Sequence, residues 1–273
     1  MLQLVCDQAC TLKEFTDNHY AQGSFFWSYL IKNKDVKVNG KKVGADVPLE
    51  KGDTVAYYLT PKQEEKIAFS TVYEDENVLI VDKASGVNSE AVFAAIAREK
   101  TAYFIHRLDR NTRGLMAFAK TQESESALLT AFREKSVEKT YHALCVGRFA
   151  VRSAILTAYL KKDEKSATVK IFKTEQKGAE KIITEYSVLE ENAEFSKVEI
   201  TLHTGKTHQI RAHFAFLGNP VLGDMKYGDV AVNKRYNVTR QCLVAKKLRF
   251  HLSGALAYLN DKNFQSAYDA VLE

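Results

Sequence analysis

The sequence predicts an α+β protein in which a mostly antiparallel mixed sheet is flanked by helices, with a smaller α+β unit in front of it. Strand-like runs outnumber helical runs in the larger part of the chain and do not alternate regularly with them, which disfavours a doubly wound sheet. A length of 273 residues suits one large and one small domain. A proline followed by mixed charges marks the boundary. We expect a small unit over residues 1–60, a linker over 61–69 and a large domain over 70–273.

Composition places the chain among ordinary globular proteins, with 45% hydrophobic and 27% charged residues. The start of the chain lacks the pattern of a signal peptide, and no apolar run approaches the roughly 20 residues that cross a bilayer. We therefore expect a cytoplasmic protein with no membrane contact. The formal net charge of +5 is compatible with nucleic acid without demanding it. The cysteines form no CxxC pair, which indicates reduced thiols: Cys6, Cys10, Cys145 and Cys242.

The small unit contains a predicted helix and a lysine-rich hairpin. The helix includes residues 25–31, strands are expected at 36–38, 41–43 and 54–59, and Asn39-Gly40 is a typical hairpin turn. A focused positive patch of this kind can contact phosphates, although a lysine-rich hairpin is more often a solvated surface. The patch consists of Lys32, Lys34, Lys37, Lys41 and Lys42.

The large domain shows both periodicities. Alternation of side chains predicts strands, and apolar residues at helical spacing predict helices. The predicted strands cover residues 77–81, 115–119, 141–146, 182–189 and 197–202, and the predicted helices cover residues 91–98, 123–135 and 207–217.

A turn-rich segment over residues 106–115 delivers one carboxylate, Asp109, between Arg107 and Arg110. An ordinary surface turn explains this arrangement. The alternative is that the flanking cations keep Asp109 charged and ready to act as a nucleophile or a base.

A second polar segment over residues 202–213 begins a predicted helix. Thr207 is suited to cap that helix, which places Arg211 one turn inside it on the side of His208. A basic helix face is usually only solvated. The histidines also raise the question of a metal, but a spacing of five turns His208 and His213 roughly 140° apart on a helix. No second carboxylate or cysteine completes a ligand set with the distant His106, so we predict no metal site.

Three motifs in order carry a resemblance to a known family. Residues 106–115 read HRLDRNTRGL, residues 139–144 read KTYHAL and residues 204–213 read TGKTHQIRAH. Together with GNPVLGD at 218–224 and KYG at 226–228, they resemble the RluA-type pseudouridine synthases from about residue 70 to 260. The chain departs from the family at three places, where Arg113 replaces serine, Lys206 replaces arginine, and ASGVN at 84–88 replaces the usual P-x-G-x-x-V-H.

The small unit carries a resemblance of its own. Residues 36–43 read VKVNGKKV and residues 52–55 read GDTV, similar to a small RNA-binding module first described in a ribosomal small-subunit protein. The Ser-Arg pair that opens the helix of that module is replaced by SFFW at residues 24–27.

The first resemblance implies a pseudouridine synthase fold and the isomerisation of uridine to pseudouridine in RNA, with no cofactor and no metal. Asp109 would be the essential carboxylate, which attacks the sugar or removes a proton from it. Arg211 would pair with Asp109 and fix its rotamer, and Tyr141 would stack on the target base and assist proton removal. Arg107 would fill the space that the extruded base leaves.

The same resemblance implies contacts to the substrate from His106, Lys206, Thr207, His208 and Gln209. Surface lysines, including Lys161 and Lys162, would hold phosphates. Relatives with such an N-terminal module mostly act on large-subunit ribosomal RNA, which favours that substrate over transfer RNA, and no obligate protein partner is evident. Two alternatives stay open. One is a family relative that binds RNA as an assembly factor without modifying it, and the other is an unrelated hydrolase that uses Asp109 with His106.

Overall fold

The structure is a computed structural model that describes residues 1–163 and 166–272. The first 60 residues form a small sheet in the order β1-β6-β3-β4, a short β2-β5 pair and two helices. Their bounds, and that of the short helix that follows them, are β1 (Leu2–Val5), β2 (Cys10–Thr11), α1 (Leu12–His19), α2 (Ala21–Asn33), β3 (Val36–Val38), β4 (Lys41–Val43), β5 (Pro48–Leu49), β6 (Thr54–Tyr57) and α3 (Pro61–Glu64).

Local chemistry explains the elements of this unit. Thr11 caps α1 by accepting a hydrogen bond from the backbone of Glu14 at 3.2 Å. Asn39 and Gly40 both have positive φ, 49° and 78°, as the tightest hairpin turn between β3 and β4 requires. The predicted hairpin is confirmed residue for residue, and α2 is longer than its predicted part. Helix α1 was not predicted.

The large domain is built on one long sheet in the order β13-β12-β14-β15-β11-β16-β10-β8-β7, with β9 paired to β10 and β17 to β16. Its strands are β7 (Phe69–Glu74), β8 (Val78–Lys83), β9 (Tyr103–Phe104), β10 (Arg113–Ala119), β11 (Val137–Val146), β12 (Ser153–Asp163), β13 (Thr168–Phe172), β14 (Glu180–Glu191), β15 (Phe195–Leu202), β16 (Leu243–Phe250) and β17 (Phe264–Gln265). The pairs of the described strands are antiparallel except for β10 with β16. The predicted α+β class with a mostly antiparallel mixed sheet is confirmed.

Helices cover this sheet and supply its core. They are α4 (Ser89–Ala97), α5 (Gln122–Glu134), α6 (Gln209–Phe216) and α7 (Val230–Arg235), followed by a 3₁₀ helix, Gly254–Leu259. Every residue of β8 and β10 is buried, as expected of central strands covered on both faces. Separate apolar clusters lie under α4, α5 and α6.

The predicted elements of the large domain are all present, most of them with extended bounds. Strands β7, β9, β12, β13, β16 and β17 and helix α7 were not predicted. The segment expected as a linker, residues 61–69, holds α3 and the first residue of β7. In the described part of the chain, no helix combines the length and apolar character that crossing a membrane takes.

Gly114 lies where β10 and β16 run parallel, and it allows the two backbones to approach closely. Its φ is +114°, and a Cβ on it would lie 2.3 Å from the carbonyl oxygen of Ala245. A side chain here meets backbone, which has no room to move inside the sheet. We expect Gly114→Ala to lower the free energy of unfolding by about 3 kcal/mol in urea titrations.

Gly218→Ala is the matched control, because its φ is +87° but no atom lies within 4 Å of the added Cβ. It should cost only about 1 kcal/mol, the strain of the left-handed backbone alone. Equal losses for the two variants would show that the close approach at Gly114 is not the constraint.

Candidate active site

Two side chains hold the loop that carries Asp109 by hydrogen bonds to its backbone, one on each side of the carboxylate. The Ser89 hydroxyl donates to the Leu108 carbonyl and accepts from its N–H, both at 2.9 Å. On the other side, the Lys83 ammonium donates to the carbonyl of Arg110 at 3.1 Å. The Asp109 side chain itself stays 26% exposed. The result is a fixed loop that presents one accessible carboxylate.

Lys83 is a buried lysine that binds the backbone of this loop from the interior of the fold. Its ammonium also donates to the carbonyls of Ala84 and Val87 at 3.0 and 2.9 Å. Burial lowers the pKa of Lys83 to about 7, against the opposing effect of the nearby Asp109 charge. Three carbonyl acceptors satisfy its three donors, which is how a buried ammonium is tolerated.

Arg211 connects the Asp109 carboxylate to a second, buried one. Its Nε and Nη2 donate to the two oxygens of Asp224 at 2.7 and 3.0 Å, and its Nη1 donates to Asp109 Oδ2 at 2.8 Å. A bidentate pair fixes the plane of the guanidinium. The orientation of Arg211 is therefore set by Asp224, and Asp109 binds the remaining nitrogen, Nη1.

Asp224 has no exposed side-chain surface and accepts two further hydrogen bonds, from the backbone N–H groups of Lys226 and Tyr227 at 2.8 and 3.0 Å. Burial alone would raise the pKa of Asp224, but the hydrogen bonds and charge of Arg211 outweigh it and hold the pKa below its ordinary value. Asp224 thus balances the charge of Arg211. The negative charge left over lies on the accessible carboxylate, Asp109.

His208 approaches the same oxygen of Asp109 from another side. Its Nε2 lies 3.9 Å from Asp109 Oδ2, and its Nδ1 lies 2.9 Å from the hydroxyl of Tyr227. That hydroxyl accepts from the backbone N–H of Val169 at 2.8 Å, so its own proton is directed to Nδ1. Burial lowers the pKa of His208. The ring is then neutral, with its N–H on the Nε2 side facing the carboxylate.

Tyr141 lies on β11, in register with Ala245 of the neighbouring strand, which in turn pairs with Gly114. Burial first, and then the charge of Asp109, raise the pKa of the Tyr141 phenol. The hydroxyl is therefore protonated at neutral pH. It is suited to donate a hydrogen bond or to support a base by stacking, and unassisted loss of its proton is unfavourable.

The two arginines beside Asp109 turn away from it. Arg107 is 69% exposed and pairs with Glu90 at 3.1 Å. Arg110 pairs with Asp17 of α1 at 2.5 Å. The cation that contacts the carboxylate is Arg211, so the flanking arginines do not supply the charge that we expected of them.

His106 is directed into the fold. Its Nε2 accepts a hydrogen bond from the backbone N–H of Ala117 at 3.0 Å, and its ring stacks on Phe132 with centroids 4.5 Å apart. Burial, with a smaller effect of Lys139, lowers the pKa of His106 to about 3. These contacts show that the His106 ring packs inside the fold as a neutral group.

Helix α6 begins two residues later than predicted. Its N-cap is His208, with a φ of 54° and no side-chain capping bond, so the prediction that Thr207 caps the helix is wrong. Gln209 is buried and holds the preceding loop. Its side-chain oxygen accepts hydrogen bonds from the Thr204 hydroxyl and the Lys206 backbone N–H at 2.9 and 3.1 Å. Thr207 is exposed at the tip of that loop.

The remaining cations lie on the surface. Lys206 pairs with Glu180, and the Lys161 ammonium donates to the carbonyl of Lys177 at 3.0 Å. Lys37 lies over the ring of Tyr58, 5.0 Å from its centroid. The other lysines of the small unit are exposed and have no ion-pair partner within the described ranges: Lys32, Lys34, Lys41 and Lys42. Lys162 is exposed too.

The three histidines weighed as metal ligands have separate partners. His106 binds Ala117, His208 binds Tyr227, and His213 lies 3.1 Å from the hydroxyl of Thr184. No cluster of metal-binding side chains occurs among residues 1–163 and 166–272.

Sequence reasoning assigned no role to Lys83, Asp224 or Tyr227. Asp224 and Tyr227 stand in the short motifs after α6, and an aspartate in a Gly-Asp pair is otherwise an ordinary turn residue. The signal for Lys83 is its position at the end of an apolar strand, where a lysine must find internal acceptors if the strand is covered. These three residues, with Arg211 and His208, form the setting of Asp109.

The sequence of this chain is similar to those of known RNA-modifying proteins. Residues 77–216 match the family model described as RNA pseudouridylate synthase. The "Ribosomal large subunit pseudouridine synthase C" of Vibrio cholerae serotype O1 is 32% identical over 250 residues, which is 81% of this chain and 78% of the relative. The chain belongs to the RNA pseudouridylate synthase family. The expected enzyme class is confirmed.

Two further proteins agree with this assignment. The "Uncharacterized RNA pseudouridine synthase YjbO" of Bacillus subtilis strain 168 is 30% identical over 79% of this chain and 81% of its own. The solved structure titled "Human RNA Pseudouridylate Synthase Domain Containing 1" covers 68% of this chain and 79% of that chain, with 26% identity and a TM-score of 0.59. The expected pseudouridine synthase fold is confirmed.

Asp224→Asn tests whether the buried carboxylate supports Arg211. We expect the free energy of unfolding at neutral pH to fall by about 3 kcal/mol, because the Arg211 guanidinium loses the buried one of its two charged partners. The folded-state pKa of Asp224 lies below its ordinary 3.8. The contribution is therefore fully present above pH 3.8 and is lost as the pH falls through the folded value.

Urea unfolding at neutral pH and below pH 3.8 measures this difference. Asp229→Asn is the control, because Asp229 is exposed and only caps α7. A stability difference between wild type and Asp224→Asn that persists undiminished at the lowest pH would contradict the charge pairing.

Proposed function

We propose that this protein converts uridine to pseudouridine in large-subunit ribosomal RNA, with Asp109 as the essential carboxylate. The observation that supports this most is the contact between Arg211 and a carboxylate that stays accessible, beside a protonated phenol. The relative in Vibrio cholerae is named a ribosomal large subunit pseudouridine synthase, and relatives in other bacteria carry the same kind of name. We extend that substrate to this chain because the likeness spans most of both proteins, and we infer action in the cytoplasm.

The target nucleotide leaves its helix before the reaction, at a cost of a few kcal/mol. Arg107 is suited to fill the vacated stack, because its guanidinium is 69% exposed and forms one surface ion pair, with Glu90, among the described residues. A planar cation stacks well on neighbouring bases. The extruded uracil then stacks on Tyr141.

Asp109 acts on the ribose of that nucleotide. Arg211 binds Oδ2, whereas Oδ1 accepts no hydrogen bond from any residue that the structure describes. The free oxygen either attacks the sugar or removes a proton from it. In both routes the bond from the sugar to uracil nitrogen one breaks and the bond to carbon five forms. As the new bond forms, Asp109 is regenerated, because its bond to the sugar breaks or the proton that it removed is returned. Carbon five loses a proton and nitrogen one gains one, so the net reaction is an isomerisation. None of these steps needs an oxidant, a reductant or a transferred group.

Lys206, Thr207 and His208 precede α6, and of these His208 lies near Asp109. The backbone of the target strand would pass along this segment. His208 contributes through its Nε2–H, which faces the carboxylate. Gln209 acts indirectly by holding that loop. We assign Arg211 and Tyr141 to the reaction with Asp109, and His106 to packing behind it.

Residues 1–60 are proposed to be an RNA-binding module, residues 61–69 its connection, and residues 70–273 the catalytic domain. The support is the cluster of exposed lysines at the end of α2 and along the β3–β4 hairpin, which is free to meet phosphates. Lys161 and Lys162 would extend the contact on the catalytic domain.

Asp109→Asn should lower turnover by about a thousandfold or more, because the carboxylate is the reacting group. RNA binding should survive, since the rest of the surface is intact. The measurement is release of tritium from carbon five of labelled uridine in large-subunit RNA, with filter binding for affinity. Asp261→Asn, an exposed aspartate, is the control. Turnover near the wild-type level in Asp109→Asn would overturn the assignment.

The double variant Lys41→Ala/Lys42→Ala tests the module. We expect weaker RNA binding and a salt dependence whose slope falls by about 1 for each phosphate contact removed. Turnover at saturating RNA should be unchanged. Lys262→Ala, a lysine that lies over Tyr73 in the catalytic domain, is the control. An unchanged slope on ribosomal RNA would contradict phosphate binding by the hairpin.

A further inference from the structure

The small N-terminal unit contacts the catalytic loop through the residue next to Asp109. Arg110 Nη1 donates to Asp17 Oδ2 of α1 at 2.5 Å, and its Nη2 donates to the hydroxyl of Ser24 of α2 at 3.3 Å. Two helices of the N-terminal unit therefore bind one guanidinium of the catalytic loop.

Arg110 is fixed at both its side chain and its backbone. Its Nε donates to the carbonyl of Gly86 at 3.1 Å, and its own carbonyl accepts from the N–H of Gly86 at 2.9 Å and from Lys83. Because Arg110 shares a peptide bond with Asp109, this anchoring restricts where the carboxylate can lie.

The groups on the N-terminal side that bind Arg110 also have partners of their own. Asp17 is only 14% exposed, and it also accepts from the Lys13 ammonium at 2.7 Å and from the Ser24 hydroxyl at 3.1 Å. Ser24 is buried. A pair with such restricted partners loses little side-chain entropy on forming, unlike an exposed ion pair.

A second path runs from α1 to the other side of Asp109. Helix α1 packs against α4, where the Asn88 amide donates to Asn18 at 2.9 Å and Arg98 donates to the carbonyl of His19. The first residue of α4 is Ser89, which holds Leu108. Both neighbours of Asp109 are thus connected to α1.

We propose that Asp17 and Ser24 are positioning residues for the reaction, which act through Arg110 to hold Asp109 against Arg211. The inference rests on the proposed function of Asp109. It gives the N-terminal unit a role in the chemical step as well as in binding, because a misplacement of about 1 Å in a reacting group can cost about a hundredfold in rate. The same N-terminal unit would then bind RNA through its lysines and position the Asp109 carboxylate.

Asp17→Asn in the full chain separates positioning from simple attachment of the unit. We expect the single-turnover rate at saturating large-subunit RNA to fall by about tenfold or more, with Kd changed by less than about twofold. Asp17→Glu keeps the charge and should recover most of the rate. Arg110→Gln should lower the single-turnover rate as much as Asp17→Asn does. The double variant should be no slower than either single variant, as expected of two residues that act as one pair.

Asp46→Asn is the matched control, because Asp46 binds α1 through the N–H of Lys13 at 2.9 Å and lies within the same unit. Its rate should equal that of wild type. Thermal unfolding verifies that each variant is folded, and if Asp17→Asn is not, Arg110→Gln alone decides by the same two readouts.

An unchanged rate constant, or a change in Kd alone, would overturn the positioning role. The same assay includes wild type and Asp109→Asn. If wild type is active and Asp109→Asn inactive while Asp17→Asn matches wild type, this inference fails and the proposed function stands. If wild type itself forms no pseudouridine, the proposed function fails first.

Discussion

One guanidinium shared by two carboxylates is the interaction on which the active site depends. Asp224 is buried and accepts from Nε and Nη2 of Arg211. The fold therefore sets the direction of the third donor nitrogen, Nη1, before any RNA binds. Asp109 meets that third donor at 2.8 Å. Since Asp224 already balances Arg211, the accessible carboxylate keeps a full negative charge in a fixed place. Such preorganisation is the condition for electrostatic catalysis, because no reorientation is needed during the reaction.

The rest of the molecule can be understood as the support of that arrangement. Asp109 and Arg211 lie 102 positions apart in the chain and meet because the fold brings the Asp109 loop against helix α6. The parallel contact between β10 and β16 at Gly114 places the Asp109 loop beside Tyr141 on the next strand. The buried Lys83 ammonium binds the carbonyl of Arg110, and the N-terminal unit binds the Arg110 guanidinium through Asp17. The Asp109 loop is thus held on several sides, and the carboxylate stays accessible from solvent.

Much of this could be predicted from the sequence, and the remainder could not for physical reasons. The family resemblance implied that Arg211 pairs with Asp109, and the contact is present. Local sequence alone pointed instead to the flanking arginines, which bind other residues. The role of Asp224 could not be read, since Gly-Asp is common in turns and only burial distinguishes it. The partner of Arg110 lies 93 positions away in α1, and no local pattern encodes such a contact. Helix bounds differed where a positive φ at His208 replaced the expected side-chain cap.

The most direct test of the central claim is the structure of the protein bound to its RNA with 5-fluorouridine at the target position, which lacks the hydrogen that must leave carbon five. The account predicts an extruded nucleotide whose ribose lies about 3–3.5 Å from a carboxylate oxygen of Asp109. Its base should lie on Tyr141, and Arg211 should still bind Asp224 through two donors. A nucleotide bound in a different groove, or a ribose that Asp109 does not reach, would contradict the account.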